Sequence, residues 1–404
     1  MHTTVRLAAL ALSVHAAVAQ AAAVQAPSDL LAGAAWRIRE VAVGVEWRQA
    51  RLTLFGSPQQ LTVLTVRNRD PDVRVRVAAP PRGRSLTSEL AAATRAAAAV
   101  NGGFFAEDGS PVGLVASGGR LLHGPDERRR ATVAVRGDDV VLLDAGDVER
   151  ALSATQTTPD GAETSEAAAS IDDALAAGPW LLRAGASVAP QTSPRHPRTA
   201  IGSNGRATIC VTLDGRNEAA GGVTLDELAQ VMAALGCSEA LNLDGGGSTT
   251  MWVQSLGGVV NCPCDNKTFD AEGERKVGNA LVVLAQPIWT RDEESAVLTP
   301  ADGATPLRDA GCVDGDALLV AAGGSARFEL GDVPLLRATV EVFTRAGDKL
   351  SWELGARSGT FTAQRTAWYA LDEFEWAPAE ARFLTLRAVA PLRLDAVRVV
   401  AAAD

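Results

Sequence analysis

The run Leu241–Thr250 constrains the fold of this chain more than any other stretch. It reads LNLDGGGSTT, an apolar segment that stops at Asp244 and is followed by three glycines and then by hydroxyl residues. Glycine has no Cβ atom, so a ligand can approach the backbone closely at such a turn. The pattern predicts a strand that delivers a carboxylate to a tight turn, where the N–H groups of the glycines point at a ligand.

The composition is that of a globular protein with more than one domain. The chain has 404 residues, of which 47% are hydrophobic, and its net charge is −10. This length is sufficient for two or three separate cores. An acidic chain argues against non-specific binding to nucleic acid, which requires a basic face. We therefore expect no nucleic-acid partner, and the sequence leaves the oligomeric state open.

The amino terminus has the pattern of a secretory signal peptide. Arg6 precedes the apolar run Leu7–Val18, and the small residues at 17–19 suit cleavage before Gln20. The apolar run is too short to cross a membrane as a helix. The sequence predicts a signal peptide over residues 1–19 and a secreted or periplasmic protein without a membrane span.

Cysteine usage fits an exported protein but leaves the disulfide pattern open. Two disulfides and one leftover thiol are compatible with the count. Cys262 and Cys264 are too close in sequence for an easy mutual bridge, and Cys210 lies in an apolar run that suits a buried thiol. The five cysteines are Cys210, Cys237, Cys262, Cys264 and Cys312.

Alternation of apolar residues and turn signals divide the mature chain into three parts. Residues 36–286 predict an α+β domain of mixed β-sheets with a few helices. Residues 287–312 are rich in Pro, Asp and Thr and predict a linker. Residues 313–404 show short alternating runs separated by turns, which predicts a C-terminal all-β sandwich or jelly roll.

Two further features of this division bear on function. The polar stretch 151–174 predicts an exposed insertion or a lid over a cleft. In the C-terminal part, aromatic side chains are candidates either for stacking on sugar rings or for the core. These aromatic residues are Trp352, Trp368, Tyr369 and Trp376.

Two predicted helices each lead through a strand into a polar turn. Residues 87–98 predict a helix with Thr87 or Ser88 as its cap, and the following strand ends in Asn101-Gly102-Gly103. Thr224 and Glu227 form the capping box of a second helix over 225–235, and its strand ends at Asp244. This repeated pattern is compatible with two related halves that bring an amide and a carboxylate together. It is also compatible with the chance recurrence of a common helix–strand–turn order.

Several classes of site are excluded by what the chain lacks. After removal of the signal peptide only His123 and His196 remain, so a multi-histidine metal site is excluded. Thr250 stands where a dinucleotide fingerprint would have its third glycine and where a nucleophile elbow would have its last.

Carboxylates, an arginine and amides remain as the candidate chemistry. Asp214 follows the apolar strand 208–213, Glu218 comes shortly after it, and Arg198 begins the preceding strand. The hairpin 201–207 between the strands places Arg198 and Asp214 at strand ends. A guanidinium suits a phosphate or a carboxylate, and two carboxyl groups that flank a bond suit glycoside cleavage.

The motifs together resemble the phosphodiester glycosidase family, which includes the uncovering-enzyme type of N-acetylglucosamine-1-phosphodiester α-N-acetylglucosaminidase. They occur in the family's order, and the resemblance covers roughly residues 40–286. The matching motifs are NGGFF at 101–105, GPWLL at 178–182, RTAIG at 198–202, DGR at 214–216, LDGGGS at 243–248 and VGNA at 277–280.

The resemblance implies hydrolysis of a sugar-1-phosphodiester on an envelope or extracellular glycan. It implies no cofactor and no metal, although clustered aspartates would suit Ca²⁺. The implied catalytic residues are Asp244, a second carboxylate from Asp214 or Glu218, and Arg198 to hold the phosphate. The alternative is a non-catalytic glycan-binding or exopolysaccharide-assembly protein with the same fold. The implied substrate-binding residues are Asn101, Gly102, Gly103, Phe104, Thr199, Gly245, Gly246, Ser248 and Asn279.

Overall fold

The structure is a computed structural model. It describes residues 26–126, 131–156, 171–292, 295–299, 304–308, 316–330, 337–375 and 382–402. The predicted signal peptide, Cys312 and Trp376 lie outside the described residues, as do residues 157–170 of the predicted insertion.

Three helices and nine strands precede residue 157. They are α1 (Pro27–Ala32), β1 (Arg37–Ala42), β2 (Val45–Leu54), β3 (Ser57–Arg67), β4 (Arg74–Ala78), α2 (Thr87–Ala93), β5 (Ala98–Asn101), β6 (Val115–Ser117), β7 (Arg120–His123), β8 (Ala131–Arg136), β9 (Asp139–Asp144) and α3 (Ala145–Gln156).

One helix and nine strands follow up to residue 284, with short 3₁₀ turns at Gly246–Ser248 and Gln254–Leu256. They are β10 (Asp173–Ala177), β11 (Trp180–Arg183), β12 (Ala186–Ser187), β13 (Arg198–Ser203), β14 (Ala207–Leu213), α4 (Leu225–Ala234), β15 (Glu239–Asn242), β16 (Met251–Val253), β17 (Gly258–Val259) and β18 (Ala280–Leu284).

These strands form three antiparallel sheets. Sheet 1 has the order β1-β2-β3-β14-β13-β15-β11-β12, sheet 2 the order β7-β6-β10-β8-β9, and sheet 3 the order β17-β16-β5-β18-β4. The predicted α+β class, β-sheets with a few helices, is therefore confirmed for this part of the chain, whereas its sheets are antiparallel and not mixed. The hairpin predicted at 201–207 is also present, between β13 and β14.

A single core joins the three sheets. It contains Leu64 and Ile201 from sheet 1, Val133 and Leu175 from sheet 2, and Val100 with its neighbours from sheet 3. The helices cover the outer faces: α4 packs on sheet 1, α2 on sheet 3 and α3 on sheet 2. Burial of apolar surface stabilises the fold by roughly 25 cal/mol per Å². The shared core therefore fixes the positions of strand ends from different sheets relative to one another.

Helix boundaries differ from expectation in three places. Helix α2 ends at Ala93 and not at residue 98, because Ala98 already begins β5. Helix α2 begins at Thr87 with Leu86 as its N-cap residue, and the Glu89 carboxylate accepts a hydrogen bond from the Leu86 N–H at 3.0 Å. Neither Thr87 nor Ser88 is the cap, because Glu89 already satisfies the free N–H at this end. Helix α3 runs into the predicted insertion and ends at Gln156.

The part of the chain after residue 287 is all β in the described residues. Strands occur within the predicted linker as well, so the segment 287–312 is not simply a spacer. The strands are β19 (Ile288–Asp292), β20 (Val297–Thr299), β21 (Ala304–Arg308), β22 (Asp316–Val320), β23 (Ser325–Glu329), β24 (Arg337–Thr344), β25 (Lys349–Leu354), β26 (Arg357–Thr362), β27 (Ala367–Glu375), β28 (Phe383–Ala388), β29 (Leu392–Leu394) and β30 (Ala396–Ala401).

Two of the C-terminal sheets, β19-β30-β24-β27 and β20-β23-β28-β25-β26, contribute to one core. Trp352 is 7% exposed and packs edge-on against Phe374, so it is a core residue. Trp368 is half-buried against Phe343, and Tyr369 against Phe361. These contacts use the rings for internal packing, and carbohydrate binding by residues 313–404 stays a prediction.

The capping box predicted for α4 is confirmed. Thr224 Oγ1 accepts a hydrogen bond from the Glu227 N–H at 3.1 Å, and the Glu227 carboxylate accepts one from the Thr224 N–H at 2.9 Å. We expect Thr224→Ala to lower the free energy of unfolding by about 1 kcal/mol, because one helix-end N–H loses its partner. Thr224→Ser retains the hydroxyl and should unfold like wild type in urea. Equal losses in both variants would contradict this account.

Candidate active site

Strand ends from sheets 1 and 3 meet at one place. In sheet 1, Arg198 at the start of β13 pairs with Leu213 at the end of β14, and β15 ends beside them at Asn242. In sheet 3, Ala280 at the start of β18 pairs with Asn101 at the end of β5. The loops that follow or precede these residues therefore carry the predicted site residues to a common location.

Asn101 links the two sheets through its side chain. Its Nδ2 donates to the carbonyl oxygen of Asp244 at 2.7 Å. Its Oδ1 accepts from Thr199 Oγ1 at 2.7 Å and from the Thr250 N–H at 3.1 Å. Asn101 and Thr199 are fully buried. The amide thus holds the carboxylate-bearing turn, and its polar atoms are used within the protein.

Close approach explains the glycines on the Asn101 side. A Cβ atom on Gly102 would overlap Asn279 Oδ1, and one on Gly103 would overlap the carbonyl oxygen of Ala176. Their N–H groups are also used internally: Gly102 donates to the Asn279 carbonyl at 3.0 Å and Gly103 to Asn279 Oδ1 at 2.7 Å. Glycine at both positions lets the strand ends pack against each other.

Each glycine of the second turn makes room for a different neighbour. A Cβ on Gly245 would lie 2.8 Å from the Pro197 carbonyl oxygen, and one on Gly246 would lie 3.1 Å from Arg216 Nη2. A Cβ on Gly247 would overlap the paired side chains of Asp265 and Arg275. Gly246 also has φ +63°, which favours glycine.

The expectation that glycine N–H groups point at a ligand is wrong for the four glycines predicted to bind substrate. The N–H groups of Gly102 and Gly103 donate to Asn279, as described above. The Gly245 N–H donates to Asp244 Oδ1 at 3.0 Å, and the Gly246 N–H donates to the Pro197 carbonyl oxygen at 2.8 Å. The physical reason is that buried N–H groups require partners, and this turn supplies them from its own loop and from the segment before β13.

Other predicted substrate-binding residues also belong to the interior. Ser248 and Asn279 are 0% exposed. Ser248 Oγ and Asn279 Nδ2 have no hydrogen-bond partner within the described part of the chain. Both side chains are therefore enclosed by protein, Asn279 beside Gly102 and Gly103 and Ser248 at the end of the glycine turn.

The outer layer is smaller and more charged. Asp244, Gly245, Gly246, Phe104 and Arg198 are half-buried. These are the predicted site residues that retain exposed surface beside the turn. Substrate contact is therefore expected from this group, and positioning from the buried group.

The guanidinium of Arg198 is largely committed to the backbone. Its Nε donates to the Val223 carbonyl at 3.1 Å and its Nη2 to the Pro194 carbonyl at 2.8 Å. Burial, followed by the charge of Arg216, lowers the pKa of Arg198. Arg198 therefore anchors the loop before β13 and adds positive charge to the site.

Two further arginines border the turn, and the predicted site residues did not include them. Arg216 lies over Gly246, and Arg275 lies against Gly247 in a bidentate pair with Asp265 at 2.6 and 2.7 Å. The Asp265 carboxylate raises the pKa of Arg275, and Asp244 acts in the same direction. A sequence signal existed for each, since Arg216 ends the DGR motif and Arg275 lies two residues before VGNA.

His196 lies beside these arginines. Its Nδ1 is 3.5 Å from Arg216 Nη2. Burial, and then the positive charges of Arg216 and Arg198, lower the pKa of His196. The imidazole is accordingly neutral at neutral pH, and the positive charge of this corner comes from guanidinium groups.

The two carboxylates considered as partners of Asp244 occupy different environments. Asp214 is 1% exposed and accepts hydrogen bonds from Gln60 Nε2 at 2.7 Å, Asn261 Nδ2 at 2.9 Å and the Cys262 N–H at 3.1 Å. Glu218 is exposed, in the turn closed by Asn217 and Ala220. The structure does not place either carboxylate in the half-exposed layer that contains Asp244.

Asp214 supports the turn indirectly, through Asn261. The Asn261 side chain also donates to the Thr249 carbonyl at 3.1 Å and accepts from the Met251 N–H at 2.7 Å. Burial raises the pKa of Asp214 to about 6, against the opposing effect of its hydrogen bonds. The buried carboxylate therefore anchors the carboxyl-terminal end of the glycine turn.

The described residues bear on metal binding, thiol chemistry and membrane spans. They contain no group of three His, Cys, Asp or Glu side chains placed to hold a metal ion. Cys210, Cys237, Cys262 and Cys264 are free thiols. Among the described residues, no helix is long and apolar enough to span a membrane.

The model of the phosphodiester glycosidase family matches residues 94–284, which contain all the converging loops described above. These residues belong to the phosphodiester glycosidase family. The family is one of hydrolases. The phosphodiester glycosidase domain thus contains both the buried hydrogen-bonded layer and the half-exposed charged layer of the site.

Solved structures similar to the chain include two of note. A hypothetical protein from Synechocystis is 20% identical, with a TM-score of 0.45, and the alignment covers 60% of this chain and 62% of that chain. The catalytic domain of zebrafish N-acetylglucosamine-1-phosphodiester α-N-acetylglucosaminidase, auto-inhibited by its pro-peptide, is 19% identical, with a TM-score of 0.47 and coverage of 61% and 87%. No curated protein matches the chain.

Truncation of the bridging amide should damage the phosphodiester glycosidase domain as a whole. We expect Asn101→Ala to lower the free energy of unfolding by about 3 kcal/mol, because the Asp244 carbonyl, the Thr199 hydroxyl and the Thr250 N–H lose a buried partner. Chemical denaturation measures this loss. Asn266→Ala, at an exposed asparagine whose side-chain hydrogen bonds stay within its own surface loop, is the matched control and should cost about 1 kcal/mol or less. A similar small loss in both variants would contradict the bridging role.

The buried carboxylate should make stability pH-dependent. Asp214 titrates at about 6 in the folded protein and at about 3.9 when unfolded, so the folded state binds the proton more tightly. This contribution to stability is complete below about pH 4 and is lost as the pH rises through about 6.

We therefore expect the unfolding free energy of wild type to fall, relative to that of Asp214→Asn, by roughly 2 kcal/mol between about pH 4 and pH 7. Urea denaturation across this range measures the two slopes. Glu218→Gln removes an exposed carboxylate and should keep the wild-type slope. If Asp214→Asn kept it too, Asp214 would not be the titrating group.

Proposed function

We propose that the phosphodiester glycosidase domain hydrolyses a sugar-1-phosphodiester. The observation that carries the proposal is the placement of Asp244 on a glycine turn bordered by Arg198, Arg216 and Arg275. A phosphodiester carries negative charge beside the sugar carbon that reacts. A site for it needs positive groups for the phosphate and a separate carboxylate for the sugar, and this turn brings both together.

The chemistry follows from this separation of charge. An oxygen, from water activated by Asp244 or from Asp244 itself, bonds to the anomeric carbon of the sugar. The bond between that carbon and the phosphate oxygen breaks, and its electron pair stays on the phosphate oxygen. The arginines stabilise the charge that develops there. After hydrolysis the products are a free sugar and a phosphomonoester.

A single carboxylate is sufficient in this proposal. Glycosidases with poor leaving groups use two carboxyl groups, one of which protonates the departing oxygen. A phosphomonoester leaves without prior protonation because its charge is stabilised by guanidinium groups. The burial of Asp214 and the exposed position of Glu218 support this scheme. We assign Asp214 to positioning and give Glu218 no role in the reaction.

We further propose that the protein acts after export, on an envelope or extracellular glycan. The support is the signal-peptide pattern of residues 1–19 and the acidic composition of the chain. The carbohydrate class follows from the resemblance alone. The C-terminal all-β unit is then an accessory part of an exported hydrolase, for which a sandwich or jelly-roll architecture is our proposal.

Loss of the turn carboxylate should abolish most turnover. We expect purified wild type to release reducing sugar from members of a sugar-1-phosphodiester panel, and Asp244→Asn to reduce kcat by roughly 10²- to 10⁴-fold. Glu218→Gln, an exposed carboxylate in the same domain, is the control and should retain full activity. Binding of the panel by wild type without release of sugar would favour the non-catalytic glycan-binding alternative.

A further inference from the structure

Arg216 is held in an unusual backbone conformation three residues after the end of β14. Its φ is +60°, in the left-handed region that disfavours residues with a Cβ atom. The preceding Gly215 allows the loop to press against Pro197, since a Cβ there would lie 2.8 Å from the Pro197 nitrogen. This loop fixes where the arginine side chain leaves the backbone.

The side chain then lies over the glycine turn. Arg216 Nη2 would be 3.1 Å, and its Cζ 3.4 Å, from a Cβ placed on Gly246. The guanidinium therefore covers a residue two positions after Asp244, in close contact with the backbone of Gly246. An exposed guanidinium thus lies over the glycine turn that follows Asp244.

The other two arginines at the turn are already engaged. Arg198 donates two hydrogen bonds to backbone carbonyls, and Arg275 forms the bidentate pair with Asp265. Arg216 makes only long contacts with His196 Nδ1 at 3.5 Å and Cys264 Sγ at 3.8 Å. Among the described residues it has no carboxylate partner.

We propose that Arg216 is the side chain that recognises the phosphate group of the substrate, whereas Arg198 holds the loop in place. The inference rests on the proposed function and replaces Arg198 in the phosphate-binding role. A guanidinium matches phosphate oxygens with two parallel donors. Its seat over Gly246 would place the bound phosphate next to Asp244, as cleavage of the sugar–phosphate bond requires.

The test combines binding and turnover. Inorganic phosphate is titrated into wild type, Arg216→Gln, Arg216→Lys and Arg206→Gln by calorimetry at fixed ionic strength. Arg206 is exposed at the opposite end of β14, so Arg206→Gln removes the same charge far from the turn. Urea unfolding of each variant shows that the fold is retained.

We expect Arg216→Gln to weaken phosphate binding roughly 10- to 100-fold and to lower kcat/KM for a sugar-1-phosphodiester by a similar factor. Arg216→Lys should fall between it and wild type, since an ammonium keeps the charge without the paired donors. Arg206→Gln should match wild type in both measurements.

The outcomes separate this inference from the proposed function. Wild-type hydrolysis that survives unchanged in Arg216→Gln would overturn the role of Arg216 and leave the function standing. Phosphate binding that depends on Arg216, without hydrolysis of any phosphodiester, would overturn the function and leave the anion site standing. If wild type bound no phosphate, or if Arg206→Gln weakened binding as much as Arg216→Gln, the inference would be wrong.

Discussion

The hydrogen bonds of the Asn101 side chain are the interaction on which the rest of the site depends. They join the end of β5 in sheet 3 to the Asp244 turn and to Thr199 in sheet 1. The Asn101 amide is fully buried, and both its nitrogen and its oxygen are hydrogen-bonded. It is strongly held, because no water can replace a lost partner. Through it, the separate sheets act as one rigid support for the half-buried carboxylate of Asp244.

This support divides the site into two layers with different physical tasks. The inner layer is uncharged apart from Asp214 and satisfies its backbone groups by close approach between glycines and neighbouring segments. The outer layer consists of Asp244 and guanidinium groups at the surface of the same turn. Preorganised charges of this kind need no rearrangement when charge develops in a reaction, which is the basis of electrostatic catalysis.

The local charge of the site opposes the charge of the whole chain. The protein has a net charge of −10, yet three arginines surround the glycine turn, and only Arg275 among them has a described carboxylate partner. A cluster of positive groups set in an acidic protein directs an anionic substrate to one place. We expect the acidic remainder of the chain to disfavour non-specific contact with polyanions such as nucleic acid.

The sequence by itself determined the local elements and the chemical inventory. The capping box at Thr224, the hairpin before β14 and the glycine turn after Asp244 are set by neighbours along the chain, and they were predictable for that reason.

Local patterns did not distinguish the buried Asn101 and Asp214 from the half-exposed Asp244. They also left Arg275 and Asn261 unassigned. Which polar group is buried, and which guanidinium is left without a carboxylate, depends on contacts between segments far apart in sequence. Only the packing of three sheets around one core decides these, because burial and pairing are properties of the assembled structure.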